Sequence, residues 1–169
     1  MEAFSSLLEE ALESWRWVRE SLIDEVENIP ANKFDFRPAA GTRTVAEVVR
    51  HILEVALMMV GELCRHDTDF HREPWPQLLN RYAAHVSKAR TKQQLIALLK
   101  SSQHEGDRRF REQGEIFMLQ LIKRFDGKPG TRFAWLYHGI GHEMYHTGQL
   151  TAYARALGKV PALTRKIGG

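Results

Sequence analysis

The sequence predicts an all-α protein folded as a four-helix bundle. Apolar residues recur at spacings of three and four along four long segments, which is the period of an amphipathic helix. Prolines and glycines gather between these segments, and no segment shows a convincing strand pattern. Four long amphipathic helices can bury their apolar faces against one another, and these observations therefore favour a helical bundle.

The first two predicted helices are separated by a loop. Residues 3–26 form an amphipathic segment that Pro30 ends, and its apolar face begins at Phe4. The stretch that follows, up to Gly41, holds two prolines and a glycine. Thr42 or Thr44 can cap the second helix, and Glu47, three residues after Thr44, completes a capping-box pattern there.

The second half of the chain contains two more long helices. A shorter helix is expected over residues 77–86, and Thr91 then caps a long helix that ends near residue 113. Residues 115–130 are predicted to form a connection that contains a helical turn. The last helix covers residues 131–157, and Gly158 stops it.

Length and composition limit the classes of function. The 169 residues favour a single domain, 1–169, and 43% apolar with 27% charged residues is typical of a globular protein rather than a disordered one. The net charge is +3, and the one arginine-rich stretch, residues 108–111, has acidic neighbours. We therefore expect a solvated helix face there and no nucleic-acid partner.

Three features predict a cytoplasmic protein without a membrane association. Cys64 is the only cysteine, which excludes an intrachain disulfide and fits a reducing compartment. The N-terminal segment is acidic and lacks the pattern of a signal peptide. No apolar run approaches the ~18 residues that a membrane-spanning helix needs.

The last predicted helix carries a pair of candidate metal ligands. His142 and His146 are four residues apart, so on a helix they share one face and can bind a single metal ion. His51 lies beside apolar positions of the second helix and is expected to face the bundle interior. A catalytic metal site usually takes three protein ligands, and His51 could supply the third.

The sequence also allows other interpretations of these histidines and of their neighbours. Histidine pairs at helical spacing occur by chance on solvent faces, and a lone His51 among apolar neighbours can be a hydrogen-bonded core residue. His138 and Glu143 lie near the pair, and Glu143 is predicted as a supporting or surface residue because it points about 100° away from His142. A two-metal carboxylate site is not expected, since no second Glu-x-x-His pair occurs.

Three stretches of the chain resemble the DinB-like superfamily, which includes the YfiT-type metal-dependent proteins. The first runs from Ile29 through Pro38, and the second is the segment from Thr44 to His51. The third begins His142-Glu-Met-Tyr-His146-Thr-Gly-Gln149-Leu and is followed by an arginine, a glycine and a proline. The order and relative positions of these stretches agree over almost the whole chain.

This resemblance carries several expectations. It implies a four-helix bundle with a long crossover between helices two and three, and one divalent metal ion, zinc or nickel, on His51, His142 and His146. It also implies a homodimer. The expected function is that of a thiol S-transferase or hydrolase acting on a small molecule, with a low-molecular-weight thiol as a possible cosubstrate; the alternative is a non-catalytic metal- or ligand-binding stress-response protein. Gln149, Tyr145 and Glu54 are candidates for supporting roles, although packing or a surface position would also explain them.

Overall fold

The computed structural model describes residues 6–168. Its four long helices are α1 (Leu7–Asn28), α2 (Val45–Leu63), α4 (Lys92–Gln113) and α6 (Arg132–Ala156). Three shorter helices are α3 (Trp75–Ala83), α5 (Glu115–Met118) and α7 (Ala162–Gly168), and 3-10 turns cover Ala31–Lys33 and Ala84–Lys88. The predicted start of the first helix, including Phe4, lies outside the described residues.

Side-chain caps fix the starts of the long helices. Thr44 and Glu47 form the expected capping box at α2, with each side chain bonded to the other residue's backbone N–H. Thr91 caps α4 in the same way with Gln94, and Thr131 caps α6. Gly114 follows α4 with a φ of +77°, a conformation that glycine adopts without strain.

The long helices run in an up-down-down-up order around the bundle. Glu143 on α6 contacts Trp15, and Ala162, which follows the end of α6, donates its backbone N–H to Glu25, so α1 and α6 are parallel. His51 lies beside His142 and the Arg43 backbone beside the Tyr153 side chain, so α2 and α6 are antiparallel. The helices α1 and α2, although consecutive in the chain, lie at opposite corners and make few contacts.

The long crossover follows from this order. Arg50 contacts the segment just before α4, and Val60 lies beside Gly106, so α2 and α4 are parallel neighbours. The chain between them must return along the bundle, and α3 with its 3-10 turn packs on α2 as it does so. The predicted fold class, including the crossover, is confirmed.

A small β-hairpin corrects the expectation of no strands. β1 (Leu121–Lys123) and β2 (Pro129–Thr131) pair antiparallel in the stretch that was predicted as a connection with a helical turn, and that turn is present as α5. Three-residue strands are too short to show an alternating pattern, which explains why the sequence did not reveal them. Among residues 6–168, no helix is both long and apolar enough to cross a membrane.

Candidate metal centre

Three histidines lie together between α2 and α6. His51 lies on α2, and His142 and His146 lie one turn apart on α6. One ligand nitrogen from each ring lies within 4.8 Å of the other two. His142 Nε2 and His51 Nε2 are 3.2 Å apart. The fold therefore brings together the three side chains that the sequence analysis selected.

The spacing and chemistry of these nitrogens fit a divalent ion. Two nitrogens at about 2.0–2.1 Å from one tetrahedral zinc ion lie about 3.3 Å from each other, close to the separation of the two Nε2 atoms. Imidazole nitrogens suit zinc, nickel, copper and iron. Within residues 6–168, no fourth histidine, cysteine or carboxylate joins the group. An ion on these three side chains would therefore keep a position for a further ligand.

A hydrogen-bond chain orients the ring of His146. Its Nδ1 lies 2.9 Å from Gln149 Oε1, and because an amide oxygen only accepts, Nδ1 must carry the proton. Gln149 Nε2 donates to the Tyr153 hydroxyl at 2.9 Å. That hydroxyl donates to the backbone carbonyl of Arg43 at 3.0 Å. Nε2 is therefore the nitrogen of His146 that is left available to a metal ion.

Burial keeps two of the imidazoles neutral. It is the main cause that lowers the pKa of His51 from 6.5 to about 4, and the nearby charge of Arg43 adds to it. Burial likewise lowers the pKa of His142 to about 3, with further contributions from the neighbouring imidazoles. Both rings are therefore uncharged at pH 7, which is the form that coordinates a metal ion.

Glu143 lies away from the three histidines. Its carboxylate is 2% exposed, accepts a bond from Trp15 Nε1 at 2.9 Å, and pairs with the Arg19 guanidinium at 2.6 and 2.8 Å. Arg19 also donates to the Leu99 carbonyl and the Ser102 hydroxyl. The expected 100° offset from His142 is present, but the side chain is part of the core and not of the surface.

The remaining histidines do not join the centre. His138 is exposed and stacks on Trp135 with ring centroids 4.5 Å apart. Tyr145 is 74% exposed, and the centroid of its ring lies 5.1 Å from the centroid of the His146 ring, with the two rings nearly perpendicular. The four other histidines of the chain are all exposed: His66, His71, His85 and His104.

Sequence reasoning did not predict two of the residues that support this centre, and it assigned a third mainly to another role. Gln149 was assigned mainly to packing, yet it contacts His146 directly. Tyr153 and Arg43 were not selected at all. Gln149 and Tyr153 follow His146 by three and seven residues, so helical spacing alone would have placed all three on one face. No local signal reveals Arg43, because its contact joins the start of α2 to α6.

Comparisons with known proteins agree with this architecture. The family model described as DinB family matches residues 1–166. No curated protein sequence matches the chain.

Solved structures show the same fold. YfiT from Bacillus subtilis, described as a probable metal-dependent hydrolase with an unusual four-helix bundle topology, has a TM-score of 0.72 at 17% identity, covering 94% of both chains. The DinB-like protein YjoA from Bacillus subtilis has a TM-score of 0.68 at 19% identity, covering 89% of this chain and 93% of its own. The mycothiol-dependent maleylpyruvate isomerase has a TM-score of 0.68 at 17% identity, and the match covers 89% of this chain but only 63% of the isomerase.

Proposed function

The chain belongs to the DinB family, and on that basis we propose that it binds one divalent metal ion through His51, His142 and His146 and uses it to process a small molecule. Hydrolysis and thiol transfer are the two reaction classes that we propose. YfiT is described as a probable metal-dependent hydrolase, and the maleylpyruvate isomerase as mycothiol-dependent.

One observation carries the proposal. Three imidazoles from two helices that are distant in the chain place their nitrogens within 4.8 Å of one another. A structural metal site is usually closed by four protein ligands, whereas a catalytic site has three and leaves a position open. The three-histidine set, without a fourth ligand among the described residues, supports catalysis over a purely structural role.

The side chains around the centre have distinct roles in this proposal. A bound divalent ion would lower the pKa of a water or thiol ligand, which produces a nucleophile at neutral pH. Gln149 holds His146 in the tautomer that exposes its Nε2. His51 lines a pocket at the start of α2, through which a small molecule would reach the centre.

Elemental analysis of untagged protein tests the metal site. We expect about one zinc, nickel, iron or manganese ion per chain in the wild type, and loss of that ion in both His51→Ala and His142→Ala. His138→Ala is the matched control, because this exposed histidine lies one turn before His142 on the same helix and should leave the metal content unchanged. A wild type that neither contains metal nor binds it on titration would refute the proposal.

A second experiment separates an enzyme from a binding protein. Metal-loaded and metal-free protein would be compared on nitrophenyl esters, for hydrolysis, and on a thiol with an electrophilic acceptor, for transfer. Activity that requires both the ion and His142 supports the enzyme. Tight metal retention without turnover on either panel would favour the non-catalytic binding role. The homodimer and the cytoplasmic location remain predictions.

A further inference from the structure

A polar pocket opens beside the metal centre at the start of α2. Its volume is about 460 Å³, within the usual range for small-molecule sites. Its wall includes His51 and is otherwise dominated by charged side chains. The charged lining residues are Arg37, Arg43, Arg50, Glu47 and Glu54.

Most of these charges already have partners. Glu47 accepts the capping bond from the Thr44 backbone at 2.7 Å and lies 3.8 Å from Arg37. Arg50 donates to the carbonyl of Ala89 through two nitrogens, at 3.0 and 3.3 Å. These groups therefore have local structural roles, and the groups they contact partly offset their charges.

Two charged groups of the pocket, Arg43 and Glu54, have no ion pair or hydrogen bond within residues 6–168. The Arg43 side chain is the exposed one of the two, whereas Glu54 is half-buried. The Arg43 backbone is nevertheless held firmly, because the carbonyl accepts the Tyr153 hydroxyl and the next residue caps α2. Arg43 is thus a cation without a direct ion pair on a fixed part of the pocket wall, which also carries the carboxylate of Glu54.

Arg43 and the metal ligand His51 line the same pocket, so the guanidinium and the metal centre face a common space. A divalent ion on the histidines would add two further positive charges beside that space. An anionic group placed between the ion and the guanidinium would offset the positive charges of both. A guanidinium binds carboxylates and similar oxyanions through paired hydrogen bonds.

We propose that Arg43 is a specificity-determining residue that binds an anionic group of the substrate, so that the pocket selects small molecules carrying a carboxylate or a similar oxyanion. This inference rests on the proposed function, because it places the reacting end of that molecule at the three histidines. It identifies the substrate class that the metal centre would process.

The test uses thiols as probes on cobalt- or nickel-loaded protein. A thiolate that binds either ion gives a charge-transfer absorption band, so affinity can be measured without turnover. 3-Mercaptopropionate would be compared with its uncharged counterpart 3-mercaptopropan-1-ol. In the wild type we expect the carboxylate-bearing thiol to bind about tenfold more tightly or better, as a charge-assisted hydrogen bond can provide.

Three variants identify the residue responsible. Arg43→Gln should remove the preference and leave the affinity for the uncharged thiol unchanged, whereas Arg43→Lys should retain part of it. Arg109→Gln is the matched control, because it removes the same charge near Cys64, at the far end of α2. Metal content would be measured for every protein.

Each outcome decides a different question. Equal affinity for the two thiols in the wild type, or a preference that survives in Arg43→Gln, overturns the role of Arg43 and leaves the metal site standing. Loss of metal in Arg43→Gln alone would show a structural role instead. A wild type that binds no metal refutes the proposed function, and this inference with it.

Discussion

Gln149 determines which nitrogen of His146 is available for coordination. Its amide oxygen accepts from Nδ1, and its amide nitrogen is held by the Tyr153 hydroxyl. Metal-binding histidines usually have such an outer partner, which fixes both the tautomer and the direction of the ring. The Gln149 side chain is therefore the clearest supporting group in the centre.

Replacement of Gln149 should weaken metal binding. We expect Gln149→Ala to lower the affinity about 10- to 100-fold, because the His146 ring loses its orienting partner. Gln149→Glu should retain most of the affinity, since a carboxylate oxygen also accepts from Nδ1. Competitive titration with a chromophoric chelator measures both values. Equal affinities in wild type and Gln149→Ala would show that packing alone orients the ring.

Cys64 should react slowly in the folded protein. Burial raises the pKa of its thiol from 9.0 to about 11, so only about one molecule in a thousand carries the reactive thiolate at pH 8. We expect an aromatic disulfide reagent to modify it roughly a hundredfold more slowly than in urea-unfolded protein. The rate should rise about tenfold per pH unit between pH 8 and pH 10. Similar rates in the folded and unfolded protein at pH 8 would contradict the burial of this thiol.

Helical spacing predicted the pair His142 and His146, and the apolar neighbours of His51 together with the resemblance predicted the third ligand, because each of these signals lies within one short stretch of sequence. The sequence predicted the direction of the Glu143 side chain but not its burial. Its direction follows from the helix repeat, but its burial depends on Arg19, which arrives from a different helix. Contacts between distant segments, such as that of Arg43 with Tyr153, have no signature in a single sequence.

At the scale of the elements, the pair Glu143 and Arg19 joins three helices. The carboxylate belongs to α6, the guanidinium to α1, and Arg19 also binds the Leu99 carbonyl of α4. Both side chains are at most 3% exposed. Each buried charge is tolerated only because the other neutralises it.

Removing one partner of this pair should destabilise the bundle. We expect Glu143→Leu to lower the free energy of unfolding by about 3–5 kcal/mol, because it leaves Arg19 buried and unpaired. The double variant Glu143→Leu with Arg19→Met should recover much of that loss. Urea unfolding monitored by circular dichroism gives the values.

A surface glutamate provides the matched control. Glu105 on α4 pairs with Arg108 in an exposed position, so Glu105→Leu should leave the stability almost unchanged. An equal effect of Glu143→Leu and Glu105→Leu would contradict the role assigned to the buried pair.

The starts and ends of the helices were largely predictable from short-range chemistry. The threonine caps of α2 and α4 and the glycines that follow α4 and α6 all occur where the sequence placed them. The predicted shorter helix is present as α3 with a 3-10 turn after it, displaced by about two residues. The β-hairpin was not predictable, because its short strands are stabilised by pairing with each other and show no alternating pattern in the sequence.

At the scale of the whole molecule, four helices were predictable but their arrangement was not. Amphipathic periodicity shows that each helix packs against other parts of the bundle, but it does not show which helices are neighbours. The long crossover was expected only from the resemblance. It is required by the parallel alignment of α2 and α4, which depends on contacts spread along both helices.

Metal should stabilise the folded chain as a whole. A ligand that binds only the folded state at a hundred times its Kd adds about 2.7 kcal/mol to the free energy of unfolding. For a chain of this length that corresponds to a rise in Tm of about 5–10 °C. Differential scanning fluorimetry with added zinc or nickel should show the rise in the wild type and not in His142→Ala. An identical shift in both proteins would place the ion elsewhere.

The 91 residues that separate His51 from His142 have a consequence for the order of events during synthesis. His51 leaves the ribosome long before the helix that carries the other two ligands, and a single imidazole holds an ion weakly. The centre is complete only when α6 has docked against α2. Under the proposed function, ion capture is therefore a late step, and metal occupancy would report that α6 has docked on α2.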